Sequence, residues 1–417
     1  MTLKIGYLVQ QFPPEVGAGP ARVTEMARCW IGAGAAVTVF TGMPNRPEGR
    51  IHPQYRGRLF VDEEWDGIRV LRSWLFASPK HGFARTLLNN ATFMATSAAR
   101  AVARGGELDV LIASSPPFFP HLAGRAAAAL RRTPLVLEVR DLWPDYLVEM
   151  GVVKGASARA LFAVERGLLR AAEQVVVVTE SFRRRVIEKG VDPARVHVIP
   201  NGVETDRYFA DPHAAPPLEA LRRRDGEMVA GYLGNFGAGQ NLHTLLDAAA
   251  LLAAERPAVR FVLAGDGPQG DELRARAAGM PNVNVLPPIP KEATRAFYNA
   301  CDVVLVPLAP LPVFQETVPS KLFEILACER PLVASLDGEG RAIVEASGGG
   351  FVRRPGDAAD IADGIRAVRA TPPARLAEMG RAGRAYVQHN YGRPALAGRY
   401  LQILAAAAAR TPVPDAG

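Results

Sequence analysis

The chain reads as an α/β protein built from two doubly wound domains in tandem, and three observations lead there. Its 417 residues exceed what one hydrophobic core usually serves. Short β-branched runs alternate with Ala-rich helical stretches, the pattern of repeated βαβ units around a parallel sheet. These runs form two series, separated by a segment that lacks strand periodicity.

The first series comprises "KIGYLVQ", "AVTVFT", "DVLIAS", "PLVLEV", "QVVVVT" and "RVHVIP". Their continuous apolar character implies a sheet covered by helices on both faces. A charged hairpin, "RLFVDEEWDGIRVLR", lies within this series and turns near Asp66-Gly67, a dipeptide suited to tight hairpins. The stretch from Phe83 to Arg104 reads as a helix in which aromatics and leucines mingle with Arg85 and Arg100; it is either an ordinary packed helix or a membrane-docking face. The second series starts at "MVAGYLG" and continues through "VRFVLAG", "NVNVLP", "DVVLVP" and "PLVAS". Between the two lies Asn201 to Glu227, rich in Pro, Asp and Arg, which is the hinge candidate. The expected division is therefore residues 1–200, residues 201–390, and a C-terminal helix and tail over 391–417.

Composition narrows the class. Cys29, Cys301 and Cys328 are an odd number at wide spacing with no CxxC, so reduced thiols in a cytoplasmic protein are expected. No uncharged apolar run approaches the ~20 residues of a membrane span, and the N-terminus reads as a first strand rather than a signal peptide. Through Pro200 there are 26 Lys and Arg against 18 Asp and Glu, so the net charge of +7 belongs to the first half. That excess suits either a solvated Arg-rich surface or attraction to an anionic membrane or acceptor.

An open parallel sheet binds ligands at the carboxyl ends of its strands. After the first strand comes "QQFPPEVGAGPAR", where Gly17 and Gly19 let backbone amides approach a ligand at the start of a helix. Glu15 in the same loop is a candidate acceptor contact. A dinucleotide-binding reading fails here, because Arg22 stands where the third glycine of GxGxxG belongs and the second strand ends without a carboxylate for a ribose. The second series opens the same way: Gly234, Gly237 and Gly239 form a loop beside Asn235 and Gln240, and "LAGDGP" repeats the pattern at Gly265, Asp266 and Gly267. Two such loops suggest a large phosphorylated ligand, such as a nucleotide sugar.

Then comes "QETVPSKLFEILACERPLVAS", with Glu316 in a loop, Pro319 and Ser320 near a helix start, and Glu324 one turn inside that helix. Carboxylates beside a diphosphate site repel it, so these two suit hydroxyls: Glu324 those of a ribose, Glu316 those of a sugar.

"E-TVPSKLF-E" resembles the E-x7-E motif of the retaining nucleotide-sugar glycosyltransferases with the GT-B fold, family 4. "PPEVGAGPAR", "NGVETDRYF", "YLGNFG" and "LAGDGP" fall in that family's order over nearly the whole chain. "EVRDLWPD", "GNFGAGQ" and "VPSKLFEILA" are similar to the subgroup that makes bacterial exopolysaccharide and O-antigen repeat units. The resemblance implies two Rossmann-like domains facing across a cleft, acceptor domain first and donor domain second, with the C-terminal helix returning to the first. It implies that Glu324 binds the ribose and Glu316 the donor sugar, and that amides near Val318 and Ser320, with those of Gly17 and Gly237, hold the diphosphate. The base would sit near Pro290.

Two departures stand out. Many relatives carry an Arg and a Lys in the second-domain glycine loop, where this chain has Asn235 and Gln240. The departing diphosphate still needs a fixed cation; Lys321 is the first candidate, and Arg22 or Arg140 reaching across the cleft the second. Where many relatives have a His after the fifth strand, this chain is read to have "VRDLW". Asp141 is then expected to orient or deprotonate an acceptor hydroxyl, Arg140 to bind a phosphate or tie the loop, and Trp143 to stack on a sugar or simply to pack.

The seven histidines give no metal constellation, and no cofactor or metal is expected. The expected reaction is transfer from a nucleotide diphosphate donor, UDP in the first instance, to an acceptor hydroxyl with retention. The leaving diphosphate takes the acceptor proton in the family's usual account. A lipid-linked saccharide at the inner membrane face suits the basic first half, and a soluble acceptor fits the same residues. An epimerase of this fold and a nucleotide-sugar-binding protein without turnover are the rival readings. No nucleic acid partner is expected.

Overall fold

The computed structural model describes residues 2–80, 82–149, 151–222, 226–256 and 258–413. It divides into two compact units, one of Met1–Pro200 with Pro394–Gly417 and one of Asn201–Arg393. Each is a Rossmann-like, doubly wound α/β layer structure.

The first unit runs β1 (Lys4–Leu8), α1 (Ala18–Gly32), β2 (Ala36–Gly42), β3 (Phe60–Trp65), β4 (Ile68–Ser73), α2 (Phe83–Arg104), β5 (Val110–Ser115), α3 (Phe119–Arg131), β6 (Leu135–Val139), α4 (Trp143–Glu149), α5 (Gly155–Ala171), β7 (Gln174–Val177), α6 (Glu180–Glu188) and β8 (Val196–Val198). The sheet order is β3-β4-β2-β1-β5-β6-β7-β8. Every pairing is parallel except β3 with β4, which is the expected hairpin. Asp66 and Gly67 take φ of 50° and 74°, the left-handed pair that matches the twist of the strands. Strand order reverses between β1 and β5, so the carboxyl ends of these strands form the natural crevice of the unit. The apolar runs are buried on both faces, with Leu8, Leu111 and Leu137 in one core layer and Ile5, Ile112 and Val136 in the other.

The second unit runs β9 (Glu227–Asn235), α7 (Leu242–Leu252), β10 (Ala258–Asp266), α8 (Gly270–Ala277), β11 (Val283–Leu286), α9 (Thr294–Ala300), β12 (Val303–Pro307), α10 (Pro312–Gln315), α11 (Lys321–Ala327), β13 (Leu332–Ser335), α12 (Gly338–Ser347), β14 (Gly350–Arg353), α13 (Ala358–Ala370) and α14 (Pro373–Tyr391). Its sheet is β11-β10-β9-β12-β13-β14, all parallel, reversing between β9 and β12. β14 has no counterpart among the expected strands; it is half-buried throughout and its apolar content is only Phe351-Val352. The hinge candidate forms no regular strand, yet it is anchored within this unit: Val203 N–H donates to the Tyr391 carbonyl at 2.9 Å, and the guanidinium of Arg384 donates to the carbonyls of Thr205 and Tyr208.

A last helix, α15 (Arg393–Ala409), packs on α1. The Trp30 indole donates to the Ala397 carbonyl at 3.0 Å, and the Tyr400 ring meets Trp30 edge-on at 5.2 Å.

Candidate functional site

In the first unit the residues at the carboxyl edge are organised by one buried carboxylate. Glu138, fully enclosed on β6, accepts from the hydroxyls of Tyr7 (2.7 Å) and Ser114 (2.6 Å) and from Arg22 Nε (2.9 Å). Burial pushes its pKa up, but the Arg22 and Arg140 charges and the two hydroxyls together outweigh burial and hold it down at about 2. Arg22 also donates to the carbonyls of Ile199 and Pro200, at 2.8 and 2.9 Å. The expectation that Arg22 reaches out as a diphosphate cation is therefore corrected: at 1% exposure it is a buried structural tie.

Arg140 behaves differently. Its Nε donates to Ser114 Oγ and the Ser115 carbonyl at 3.0 and 2.9 Å, while its guanidinium lies against Gly19. A Cβ at Gly19 would come within 3.0 Å of that group, so glycine there gives Arg140 its place beside the loop. Gly17 precedes α1 as its N-cap. The expectation that Glu15 contacts an acceptor is corrected: it is buried and turned inward, accepting from the backbone amides of Asn45 and Arg46 at 2.9 and 3.0 Å, and so ties two loops together.

"VRDLW" follows β6, the sixth strand of the unit and not the fifth: its apolar run is fourth in the series, and the two hairpin strands precede it. Asp141 is half-buried there, and burial lifts its pKa to about 6 against the opposing charge of Arg140. Trp143 stacks on Phe118 with rings 4° from parallel and meets Phe119 edge-on, so packing accounts for much of its surface. His121, which sequence reasoning passed over, places Nε2 at 3.1 Å from the Glu138 carbonyl; burial depresses it to about 4, so it is neutral at physiological pH.

In the second unit the glycine-ended strands β9 and β10 run side by side, Gly234 opposite Gly265 and Asn235 opposite Asp266. The Gly265 Cα approaches the Gly234 carbonyl so closely that a Cβ would overlap it. Gly234 itself has φ of 147°, and the Lys321 ammonium stands 2.7 Å from where its Cβ would be. That ammonium lies 4.0 Å from the centroid of the Tyr232 ring. Burial pulls the Lys321 pKa down to about 7, and the Glu324 charge opposes that only in part. Tyr232 donates its hydroxyl to the Asn235 carbonyl at 2.7 Å and lies 3.4 Å from Gln240 Oε1. The Asn235 amide occupies the space beside Gly237 and Gly267.

Glu324 sits in the first turn of α11 and accepts from the Tyr298 hydroxyl of α9 at 3.0 Å. Glu316 caps the carboxyl end of α10. Pro319 stands one residue ahead of the N-cap Ser320 rather than inside the helix, and its carbonyl accepts from Leu322 N–H at 3.0 Å. Val318 is buried and Ser320 half-buried. Gly338, at φ 66°, packs its Cα on the Gln315 backbone where any Cβ would collide, and so fixes the turn that carries Glu316. The Phe314 ring covers Gly239, joining α10 to the glycine loop.

The structure thus gathers Gly234, Asn235, Gly237, Gln240, Lys321 and Glu324 around the strand-order reversal of the second sheet. Asp266 is exposed at the end of β10, and Pro290 is exposed after β11 at the sheet's outer edge. The residues that sequence reasoning missed here are Tyr232, Tyr298 and Gly338. Among the described residues no group of three or more His, Cys, Asp and Glu is arranged to hold a metal ion, and no helix is long and apolar enough to cross a membrane.

Two tandem sheets of this topology with a Glu-x7-Glu segment define a glycosyltransferase of the GT-B class, and the comparisons agree. Residues 17–202 match the glycosyl transferase 4-like domain and residues 227–370 the glycosyl transferases group 1 domain. Together these models span most of the chain, which belongs to the GT-B glycosyltransferases of family 4. A putative colanic acid biosynthesis glycosyl transferase of Escherichia coli (strain K12) is 27% identical over 326 residues, 76% of this chain and 79% of that one. Sucrose-phosphate synthase from Thermosynechococcus elongatus superposes with a TM-score of 0.74 at 21% identity, covering 98% of this chain and 100% of that chain. The Anabaena protein Alr3699/HepE, crystallised with UDP-glucose, superposes with a TM-score of 0.71 at 20% identity, covering 97% and 100%.

Proposed function

We propose that the chain is a retaining glycosyltransferase that moves a sugar from a UDP-linked donor to a hydroxyl of a lipid-linked saccharide in bacterial surface polysaccharide synthesis, in the cytoplasm and without a metal. The observation that carries this reading is Lys321, a half-buried lysine held on the Tyr232 ring against the Gly234 loop. It supplies the cation that Asn235 and Gln240 do not. The Anabaena neighbour's complex with UDP-glucose and the colanic acid role in the E. coli relative's name support donor and pathway class.

In this reading the diphosphate lies on the amides after Gly234 and Gly237 and on those near Val318 and Ser320. Lys321 regains its proton against it, because an adjacent dianion favours the charged ammonium. Leaving-group charge then develops against a fixed cation, where it is worth most. Glu324, oriented by Tyr298, accepts from the ribose hydroxyls, and Glu316 from those of the sugar. Asp266 and Pro290 border the base end of the donor. On the first unit, Arg140 and the amides around Gly17 and Gly19 meet phosphate, and Asp141 orients the acceptor hydroxyl with Trp143 beside it.

Thermal-shift binding of UDP, GDP and ADP, with Glu324→Gln as control, tests the site. Stabilisation by UDP that the variant loses is expected; equal stabilisation of both proteins contradicts the assignment. Donor consumed without acceptor and converted to an epimer would replace transfer by epimerisation. Transfer undiminished by EDTA is expected from a site whose counter-charge is Lys321.

A further inference from the structure

The exposed large apolar side chains of the first unit include a cluster at the start of α2. Phe83, Leu87 and Leu88 are 56%, 43% and 45% exposed, and every residue from Gly82 to Leu88 is exposed. The helix is nevertheless held firmly just beyond them. Asn89 Nδ2 donates to the Phe76 carbonyl at 2.7 Å, Gln10 Nε2 donates to the side-chain oxygens of Asn89 and Asn90 at 2.7 and 3.0 Å, and Phe93 is fully buried. Because Gln10 lies two residues beyond the carboxyl end of β1, these turns project from the same sheet edge that carries Gly19 and Arg140.

The charge around them is one-sided. From Gly67 to Gly106 the chain has six Lys and Arg and no Asp or Glu. Arg72 and Arg100 pair with Glu63 and Asp62 of the hairpin, whereas Lys80 and Arg85 are exposed beside the apolar side chains. The neighbouring loop, whose Gly49 abuts the Ser78 backbone, adds exposed Arg46 and Arg50 and a single carboxylate, Glu48. Aromatic and leucine side chains rimmed by cations are what an anionic lipid surface takes up, the apolar groups entering the headgroup–acyl boundary and each cation adding attraction to the anionic headgroups. A protein interface would instead favour fewer charges at its centre.

We propose that the first two turns of α2, with Phe83, Leu87 and Leu88 inserted and Lys80 and Arg85 on the headgroups, dock this chain on an anionic membrane surface. This deepens the lipid-linked acceptor reading by naming the surface through which such an acceptor is met. It is measured without donor or acceptor, so either can fail alone.

The experiment is co-sedimentation of the full chain with phosphatidylcholine vesicles and with vesicles that also contain phosphatidylglycerol, at low and high salt. Wild type is expected to partition onto the phosphatidylglycerol vesicles and to be released by salt. Phe83→Ser/Leu87→Ser/Leu88→Ser and, separately, Lys80→Glu/Arg85→Glu are each expected to weaken partitioning about tenfold or more with unchanged circular dichroism. These side chains are exposed, so folding is not at stake. Wild type that stays in the supernatant, variants that bind as wild type does, or a triple variant that changes only a dimer seen by light scattering would each overturn the proposal; the last would make the face a contact between two copies.

Discussion

The two units share a layout of strand, glycine loop and helix, yet they treat charge at that loop in opposite ways. In the first, Glu138 and Arg22 meet at full burial and neutralise one another, and Arg140 stands 3.7 Å from the same carboxylate as a second cation. In the second, Lys321 faces Gly234 with an aromatic ring beneath it and no carboxylate paired to it among the described residues. The first arrangement is a buried ionic and hydrogen-bonded network that ties β1, α1, β5 and β6 together. The second holds a lysine whose charge burial disfavours and the nearby Glu324 supports only in part. Charge matched by a buried carboxylate holds the scaffold of the first unit, and the cation beside the second unit's loop is the one that the proposed function assigns to the diphosphate.

This contrast is sharpest in stability. Glu138→Ala should cost about 3–5 kcal/mol in chemical denaturation, since it strands Arg22 in the core and leaves Tyr7 and Ser114 without their acceptor. Lys321→Ala should cost little stability, because it removes a charge that burial already disfavours. Its effect belongs to the reaction: kcat/KM should fall about a hundredfold, roughly 3 kcal/mol of transition-state stabilisation. If Lys321→Ala destabilised as much as Glu138→Ala, the two networks would be of one kind.

Asp141 offers a smaller test. Its pKa is raised in the folded protein to about 6, from an ordinary value of 3.8. Stability from this group is fully present below the ordinary value and is lost as pH rises toward 6, because ionisation must overcome burial. Asp141→Asn should therefore be more stable than wild type above pH ~6 by on the order of 1–2 kcal/mol, after allowance for solvent screening, with little difference in acid. Denaturation midpoints at the two ends of that range decide it.

Much of the scaffold was readable because strands covered on both faces leave unbroken apolar runs, as in "DVLIAS" and "QVVVV". β14 was not, since Gly350 and Arg353 at its two ends leave only two apolar residues between them. The Glu316, Lys321 and Glu324 segment could be read from its spacing, and Gly234 and Gly237 from the strand before them. Tyr232 and Tyr298 could not, because each looks like an ordinary core aromatic until packing places its hydroxyl or ring at the site. Arg22 was misread for a related reason: a sequence shows an arginine beside a glycine loop but not the buried carboxylate that claims it. The available signal was Glu138, a lone charged residue inside the apolar strand "LVLEV".

The central claim is that Lys321 is the cation of a diphosphate site, and proton uptake tests it most directly. Free Lys321 loses its proton at about pH 7. At a pH above this value, binding of UDP should restore the proton, so calorimetric titration in buffers of different ionisation enthalpy should show net uptake approaching one proton per UDP, and affinity should fall as pH rises. Both signatures should vanish in Lys321→Ala. Uptake that persists unchanged in the variant, or UDP affinity indifferent to pH across that range, would contradict the assignment.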